Sequence, residues 1–527
     1  MAAIITDQLR ILNAKNFVSG VTSTSNSYYT FVGLPNATDI SSTWDTTPVD
    51  PKDSFNQENE YWDTMIAMKK ISSGDVKQVI RKISWSSGTT YDMYRQDINR
   101  DNPANKSGAI NLYSANYYVM NSDYKVYICL QNGTDPENLN GRPSLDEPTF
   151  TDLEPRAAGT SGDGYIWKYL YTIKPADIIK FDSTNFMPVP ADWATNTSDA
   201  AVRDNAGTSG QLKIVTITNR GVGLGTANRT YTQVPIQGDG TGAEATIVIN
   251  NDSKVDSITV AKGGSNYTYG TVNLTAGGVP TGTTEPVFNV IVPPEGGHGA
   301  NIYRELGAMN VLLYSRIEND TENPDFITGN QIARIGVVCN PRAYNSTDLL
   351  SIDKAAVTYG LKLTGAGYSS ATFTADSFIT QTVGLGSTAV GRVISYDQTT
   401  GVLKYWQDRS LAGFTTGVGY ESSNAQYTPV YGYSLNRFTS DPTTGGSLTI
   451  VNGSVSLGID TSFGTSTNPG VSTVINSRTY YLGQSFVKGV AQPEVEKYSG
   501  NIIYVDNRPS ITRSTNQKED IKVILQF

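Results

Sequence analysis

The chain has 527 residues and a formal net charge of -9, and 38% of its residues are hydrophobic. That length is enough for several domains. A negatively charged chain has no overall attraction for a phosphate backbone, so binding of nucleic acid through a basic surface is not expected. Abundant Gly (50) and Tyr (31), together with many Ser, Thr and Asn residues, are typical of β-structure with polar turns.

The two cysteines, Cys129 and Cys339, each lie in an apolar strand-like run. We expect both to be buried free thiols, which suits folding in a reducing cytoplasm. The start of the chain lacks the basic residues and the long apolar core of a signal peptide. Apolar runs stay well short of a membrane span, so we expect no membrane association.

Two helices are predicted in the first part of the chain. Leu9, Leu12 and Phe17 recur at helical spacing and predict an amphipathic helix over residues 5–17. The segment YWDTMIAMKKI at residues 61–71 has apolar positions with nearly helical spacing, so it is interpreted as a second helix.

Strands are predicted where aromatic and β-branched residues cluster. Residues 28–32 form one such run, and residues 117–120 and 124–130 flank a polar triplet typical of a hairpin turn. The segment 161–173 predicts a glycine-rich turn that leads into an apolar strand, with Asp163 fixing the turn through its side chain.

Residues 206–299 are rich in Gly and Thr and contain an internal repeat. Residues 215–223 resemble 258–266, and residues 240–250 resemble 282–292, at offsets of 43 and 42 residues. Two copies are too few for a solenoid, so we predict a small inserted β-domain.

A change of composition recurs further along the chain. Residues 300–345 resemble the first 205 residues in composition. In residues 346–485 Gly, Ser and Thr again dominate, and short strand-like runs recur. We therefore predict a multidomain fold that is mainly β with a few short helices (α+β), in which a discontinuous host domain is interrupted at exposed loops. The host parts are 1–205, 300–345 and 486–527, and the insertions are 206–299 and 346–485.

The end of the sequence predicts two extended segments. An apolar run at residues 502–505 leads into a predicted turn at 506–509. A polar stretch and an alternating strand at residues 521–527 follow, and we expect this strand to be held in a sheet because a free apolar strand would fray.

Several short motifs in the host parts carry a family resemblance through their order and spacing. They are Trp62 and Trp85 around a Val-Ile pair, the VYICL strand at 126–130, Asp163, Tyr165 and Trp167 in GDGYIWKYL, Arg304 in IYR, and Asn507, Arg508 and Pro509 near the end. Together they resemble the baseplate wedge proteins of T-even-like contractile-tailed phages, the gene-eight product family. The resemblance covers about half of the chain. Asp506 and Ser510 depart from the family's terminal motif, and the short T-even form lacks both insertions.

This resemblance implies a structural subunit of the virion, made in the host cytoplasm and built into the tail baseplate. It implies contacts with other wedge proteins, a homodimer within the wedge, and neither catalysis nor a cofactor. The named Trp, Asp, Tyr, Arg, Asn and Pro residues become candidates for core-signature or interface positions.

Two motifs that suggest chemistry have simpler interpretations. His298 is the only histidine, and no Cys pair lies near it, so we expect a loop residue with a local hydrogen bond. The glycines of 221–226 suggest a phosphate loop, but a proline-containing strand pattern follows where a helix is needed.

Metal binding and hydrolysis also lack a full set of residues. Asp97, Asn99 and Asp101 resemble the opening of a calcium loop, but the sixth position is not Gly and the twelfth is not Glu. A depolymerase would need paired carboxylates. Its candidates, Asp163, Glu494, Glu496 and Asp506, cannot be paired from the sequence.

The insertions leave a second function open. Exposed tyrosines could face a host-surface glycan, and the candidates are Tyr267, Tyr269, Tyr420 and Tyr431. The alternative to a purely structural role is therefore a receptor-binding or glycan-binding tail protein.

Overall fold

The computed structural model describes residues 3–35, 44–319, 326, 331–407, 436–514 and 517–527. The fold is mainly β with a few short helices, as the composition predicts. The helices are α1 Asp7–Thr22, α2 Phe55–Thr64, α3 Pro175–Phe181, α4 Ala200–Asp204 and α5 Ile302–Leu306, with 3-10 turns at Ser73–Asp75 and Leu112–Ser114.

Strands account for most of the regular structure. The first are β1 Tyr28–Gly33, β2 Met65–Lys70, β3 Val76–Arg81, β4 Tyr118–Met120, β5 Lys125–Asn132, β6 Tyr165–Thr172, β7 Phe186–Pro188, β8 Ile214–Asn219, β9 Arg229–Gly238, β10 Thr241–Ile249, β11 Val255–Ser265, β12 Gly270–Val272 and β13 Val287–Ile291. The rest are β14 Asn310–Glu318, β15 Gln331–Cys339, β16 Lys354–Ala356, β17 Tyr359–Thr364, β18 Phe378–Gly384, β19 Ser387–Asp397, β20 Val402–Trp406, β21 Thr449–Asn452, β22 Val455–Ile459, β23 Gly470–Ile475, β24 Arg478–Val487, β25 Val490–Ala491, β26 Asn501–Thr512 and β27 Lys518–Gln526.

The chain divides into two compact units, each built from separate stretches of sequence. The first comprises Met1–Val18, Lys77–Leu313 and Val523–Phe527, and the second comprises Ser19–Val76 and Tyr314–Lys522. The segment 206–299 therefore lies in the first unit and the segment 346–485 in the second, whereas the predicted host parts contribute to both.

The first unit has an aromatic core around the sheet β4-β5-β6. The predicted hairpin is confirmed, because β4 and β5 pair antiparallel across the polar triplet. Asn121 Oδ1 accepts the backbone N–H groups of Asp123 and Lys125, at 3.0 and 2.8 Å, and so fixes the turn. Strands β3 and β7 also pair antiparallel in this unit.

The repeat in the first unit pairs its strands across the two copies. Strand β8 of the first copy pairs with β13 of the second, and β10 of the first copy pairs with β11 of the second. Both pairings join one copy to the other, and β10 also pairs with β9, which precedes it in the chain. The paired strands enclose a separate apolar cluster that includes Val215, Ile247 and Val290.

The second unit contains a five-stranded sheet with the order β16-β2-β1-β15-β26. The predicted helix over 61–71 is wrong beyond Thr64, because α2 ends there and Met65–Lys70 is strand β2. Strand β2 lies inside the sheet between β16 and β1, and its first four residues are buried. An interior strand of this kind is apolar on both faces, so it lacks the alternation that would have identified it.

The predicted turn at residues 506–509 is also wrong. Strand β26 runs through these residues and pairs with β15, with Asn507 opposite Arg334. The register shifts between this pair and the pair of Ile511 with Ile332, so residues 508–510 form an irregularity in the strand. Pro509 is tolerated there because β26 is the edge strand of its sheet. The last predicted strand is confirmed as β27.

The rest of the second unit is dominated by a nine-stranded sheet with the order β20-β19-β18-β21-β22-β17-β25-β24-β23. An additional pairing of β17 with β20 closes six of these strands into a ring. Its interior includes Leu361, Leu403 and Ile450, all fully buried.

Candidate interaction site

Helix α1 carries apolar side chains on two opposite faces. One face is buried through Ile11 and Ala14. The opposite face presents Leu9 and Leu12, which are 45% and 50% exposed and, at about 100° per residue, lie about 60° apart. Ile5, two residues before the helix begins, is 63% exposed. We call these three residues the α1 stripe.

The predicted helix at the start is therefore confirmed, but its expected apolar face is wrong. Leu9 and Leu12 point to solvent. Phe17 is partly buried and its ring lies 5.5 Å from that of Phe527. Single exposed apolar residues are common, whereas a contiguous exposed row is typical of a contact surface.

The predicted residues of the GDGYIWKYL segment lie together in the first unit. Asp163 Oδ1 accepts the Tyr165 N–H at 3.0 Å, and Oδ2 accepts the Leu145 N–H at 2.9 Å, so the predicted role in the turn is confirmed. Tyr165 and Trp167 are fully buried and their rings stack at 5.2 Å. Trp85 is partly buried and donates to Ser144 Oγ at 3.1 Å. These residues order the chain's own core.

The other predicted residues divide between buried and exposed positions. Trp62 is buried in the core of the second unit. Arg508 is exposed and its guanidinium pairs with Asp506 at 2.6 Å, beside the exposed Pro509. In the first unit Arg304 is exposed and pairs with Glu295 at 2.6 Å. Surface pairs of this kind add little stability.

Asn507 is held inside a polar network of the second unit. Its Oδ1 accepts from Arg334 Nε at 2.8 Å, and its Nδ2 donates to the Val49 carbonyl at 2.8 Å. Arg334 is almost fully buried, donates to Thr64 Oγ1 at 2.6 Å and lies 4.6 Å from the centre of the Tyr61 ring. The sequence does not reveal this role, because Arg334 and Asn507 are 173 positions apart.

His298 has the predicted local hydrogen bond, in a buried setting. Its Nδ1 lies 2.6 Å from Glu305 Oε1, and Glu305 Oε2 accepts the Gly299 N–H at 2.7 Å. The Tyr94 ring meets the imidazole edge-on with a centroid distance of 4.8 Å. His298 therefore orders the loop that leads into α5.

The carboxylates considered for hydrolysis are engaged in structural bonds. Glu494 Oε2 accepts the Ala356 N–H at 2.7 Å, and burial raises the pKa of Glu494. Glu496 Oε2 accepts the Asn345 N–H at 3.1 Å. The Asp97 carboxylate of the calcium-like loop pairs with Arg95 Nε at 2.9 Å. Within the described ranges no cluster of three His, Cys, Asp or Glu side chains is placed to hold a metal.

The tyrosines considered for glycan contact do not share one environment. Tyr267 is buried and donates to the Ile236 carbonyl at 2.8 Å, so its interpretation as a surface residue is wrong. Tyr269 is 61% exposed. Tyr420 and Tyr431 lie outside the described residues.

The cysteines are free thiols. Cys129 is fully buried, as predicted, and burial raises its thiol pKa. Cys339, the last residue of strand β15, is only partly buried. The expectation that it is buried is therefore wrong. A search of the described part of the chain finds no helix long and apolar enough to cross a membrane.

Two comparisons with known proteins were without a match. No protein-family model matches the chain, and no curated protein matches it.

Proposed function

We propose that this protein is a structural subunit of the baseplate wedge of a contractile phage tail. It acts through protein–protein interfaces, with other wedge proteins and a second copy of itself as partners. In this proposal the protein is a virion component and has no catalytic step. The order and spacing of Trp62, Trp85, the GDGYIWKYL segment and the NRP motif support the family assignment.

The α1 stripe is the structural observation that best supports a role in protein–protein interaction. Leu9 and Leu12 are exposed opposite the buried face of α1, and the exposed Ile5 lies just before the same helix. Covering these side chains with a partner is favourable, because apolar area is removed from water.

The occupant we propose for the α1 stripe is the stripe of a second copy. The two α1 helices would run antiparallel, with the two-fold axis at the midpoint between Leu9 and Leu12. This arrangement sets Leu9 of each copy against Leu12 of the other. The same pairing sets Gln8 against Asn13, so amides face amides and no like charges are opposed. This is the self-complementarity that a two-fold interface requires.

Antibody labelling of intact virions tests the structural role. Serum raised against this chain is applied to phage particles and viewed by negative-stain electron microscopy. We expect label confined to the baseplate end of a contractile tail. If the protein is found only free in lysates, and denatured virions are negative by blot, the proposal fails.

Tyr269 supports a second candidate, a glycan-binding role of the segment 206–299. Its exposed ring follows Thr268, whose N–H and hydroxyl both bond the Asp239 carboxylate, at 2.9 and 2.5 Å. An exposed ring on a backbone fixed in this way can stack on a sugar face. A glycan array probed with the full chain and with Tyr269→Ala tests it, and equal binding by both would count against this candidate.

A further inference from the structure

A cavity of about 440 Å³ opens in the first unit, between the end of β6, α3 and the loop that follows β7. This volume lies in the range of small-molecule sites, about 300–1,000 Å³. Its polar lining includes Lys174, Asp192, Thr195, Thr197 and Ser198. None of these residues belongs to the family motifs, to the α1 stripe or to the insertions.

The charges of the lining balance. Lys77 Nζ and Asp177 Oδ2 form an ion pair at 2.5 Å on the cavity wall, with both side chains largely buried. Lys174 and Asp192 add one charge of each sign. A balanced lining gives no net attraction to an anion or a cation, so it favours a neutral ligand.

The cavity offers hydrogen-bonding groups that the chain does not use. Within the described residues, the Lys174 ammonium and the hydroxyls of Thr197 and Ser198 make no hydrogen bond, and all three side chains are exposed at the mouth of the cavity. An ammonium supplies only donors, whereas a hydroxyl both donates and accepts. These groups suit a ligand whose own groups donate and accept at neighbouring positions.

The loop that carries the hydroxyls is held in place before any ligand binds. The N–H groups of Thr195 and Asn196 both donate to the Asp192 carbonyl at 2.8 Å. Asp192 has a φ of +51°, a left-handed conformation that Asp tolerates better than most residues. Arg203 Nη1 donates to the Asn196 carbonyl at 3.0 Å. A pre-ordered loop lowers the entropy cost of binding.

We propose that this cavity binds a neutral saccharide unit. A sugar presents adjacent hydroxyls that match the Lys174, Thr197 and Ser198 groups, and a C–H face that can lie against Pro190 and Ala191 in the same lining. The site is distinct from Tyr269 and does not depend on a role in a baseplate. The sugar could be free or part of a surface polysaccharide, since both present the same groups.

The test is saturation-transfer difference NMR on the full chain. The probes are the methyl glycosides of glucose, galactose, mannose, N-acetylglucosamine and N-acetylgalactosamine, with inorganic phosphate as the charged comparison. We expect transfer to at least one glycoside. Thr197→Ala combined with Ser198→Ala is expected to weaken that binding about ten-fold or more, because two hydrogen bonds to the ligand are lost. Ala191→Trp, at the cavity lining, is expected to abolish it.

Matched controls separate the cavity from other surfaces. Ala276→Trp adds the same ring at an exposed site outside the cavity and should leave transfer unchanged. Tyr269→Ala should also leave it unchanged. Thermal unfolding of each variant confirms folding. Transfer to no glycoside, binding of phosphate alone, transfer that survives Ala191→Trp, or transfer lost in Tyr269→Ala would each overturn the proposal.

Competition identifies the source of the sugar. A purified bacterial surface polysaccharide whose repeating unit contains the sugar that gives the strongest signal is added to that glycoside. Loss of that signal assigns the cavity to a polymer-borne unit, whereas retention assigns it to a free sugar. Both results support a saccharide site, because each requires glycoside transfer that depends on the cavity.

Discussion

Arg334 Nε donates to Asn507 Oδ1 at 2.8 Å, and this bond joins β15 to the edge strand β26 at the irregularity in their register. Arg334 is 1% exposed, so its charge is stabilised almost wholly by groups of the protein. A buried guanidinium is costly unless its N–H groups find acceptors, and Asn507 supplies one of them. The NRP segment thus contributes both to the core, through Asn507, and to the surface, through Arg508.

We expect Asn507→Ala to lower the free energy of unfolding by about 2 kcal/mol, because a bond to a buried charged donor is lost. Urea unfolding followed by tryptophan fluorescence measures this. The control is the neighbouring Arg508→Ala, which removes only an exposed pair and should cost about 0.5 kcal/mol or less. Equal losses in the two variants would contradict the assigned roles.

Asp163 gives a second test inside the first unit. We expect Asp163→Ala to cost about 3 kcal/mol, because the N–H groups of Tyr165 and Leu145 both lose a carboxylate acceptor. Asp163→Asn keeps one carbonyl oxygen and should cost less. Asp152→Ala, which breaks an exposed pair with Arg156, is the matched control and should change stability little in the same urea titration.

The elements best predicted from the sequence are those set by local chemistry. The hairpin of β4 and β5 depends on a polar turn that Asn121 closes on itself, and the turn before β6 depends on Asp163. Both signals lie within a few residues of the structure they specify.

The errors arose where the environment decides the outcome. The apolar run that begins at Met65 is a strand because it lies between two other strands of its sheet. The residues of the run itself do not indicate that these strands will pair with it. Pro509 indicated a turn, but an edge strand accepts it. Leu9 and Leu12 are at helical spacing on the outer face, and spacing alone cannot say which of two apolar faces is covered. The cavity near Ser198 is formed by segments whose approach the sequence does not reveal.

Glu494 gives a prediction for the pH dependence of stability. Burial raises the pKa of its carboxyl in the folded state above the usual 4.5. Its contribution to stability is therefore fully present below about pH 4.5 and is lost as the pH rises through the folded pKa. We expect Glu494→Gln, which stays neutral, to be more stable than the natural chain at about pH 8 and nearly equal at about pH 4. Urea titrations at both values measure this, and a variant less stable at the higher value would show that the charged form is favoured.

The α1 stripe gives a prediction about association. We expect Leu9→Asp combined with Leu12→Asp to shift the chain from dimer to monomer, because burying two carboxylates against each other costs far more than the apolar contact provides. Sedimentation equilibrium over a range of concentrations measures the shift. Thr275→Asp combined with Ala276→Asp adds the same charge at exposed positions outside α1 and should leave the dimer unchanged. If the leucine variant dimerises like the natural chain, the stripe is not the self-interface. If the natural chain is monomeric at all concentrations, the pairing of two copies through α1 is refuted.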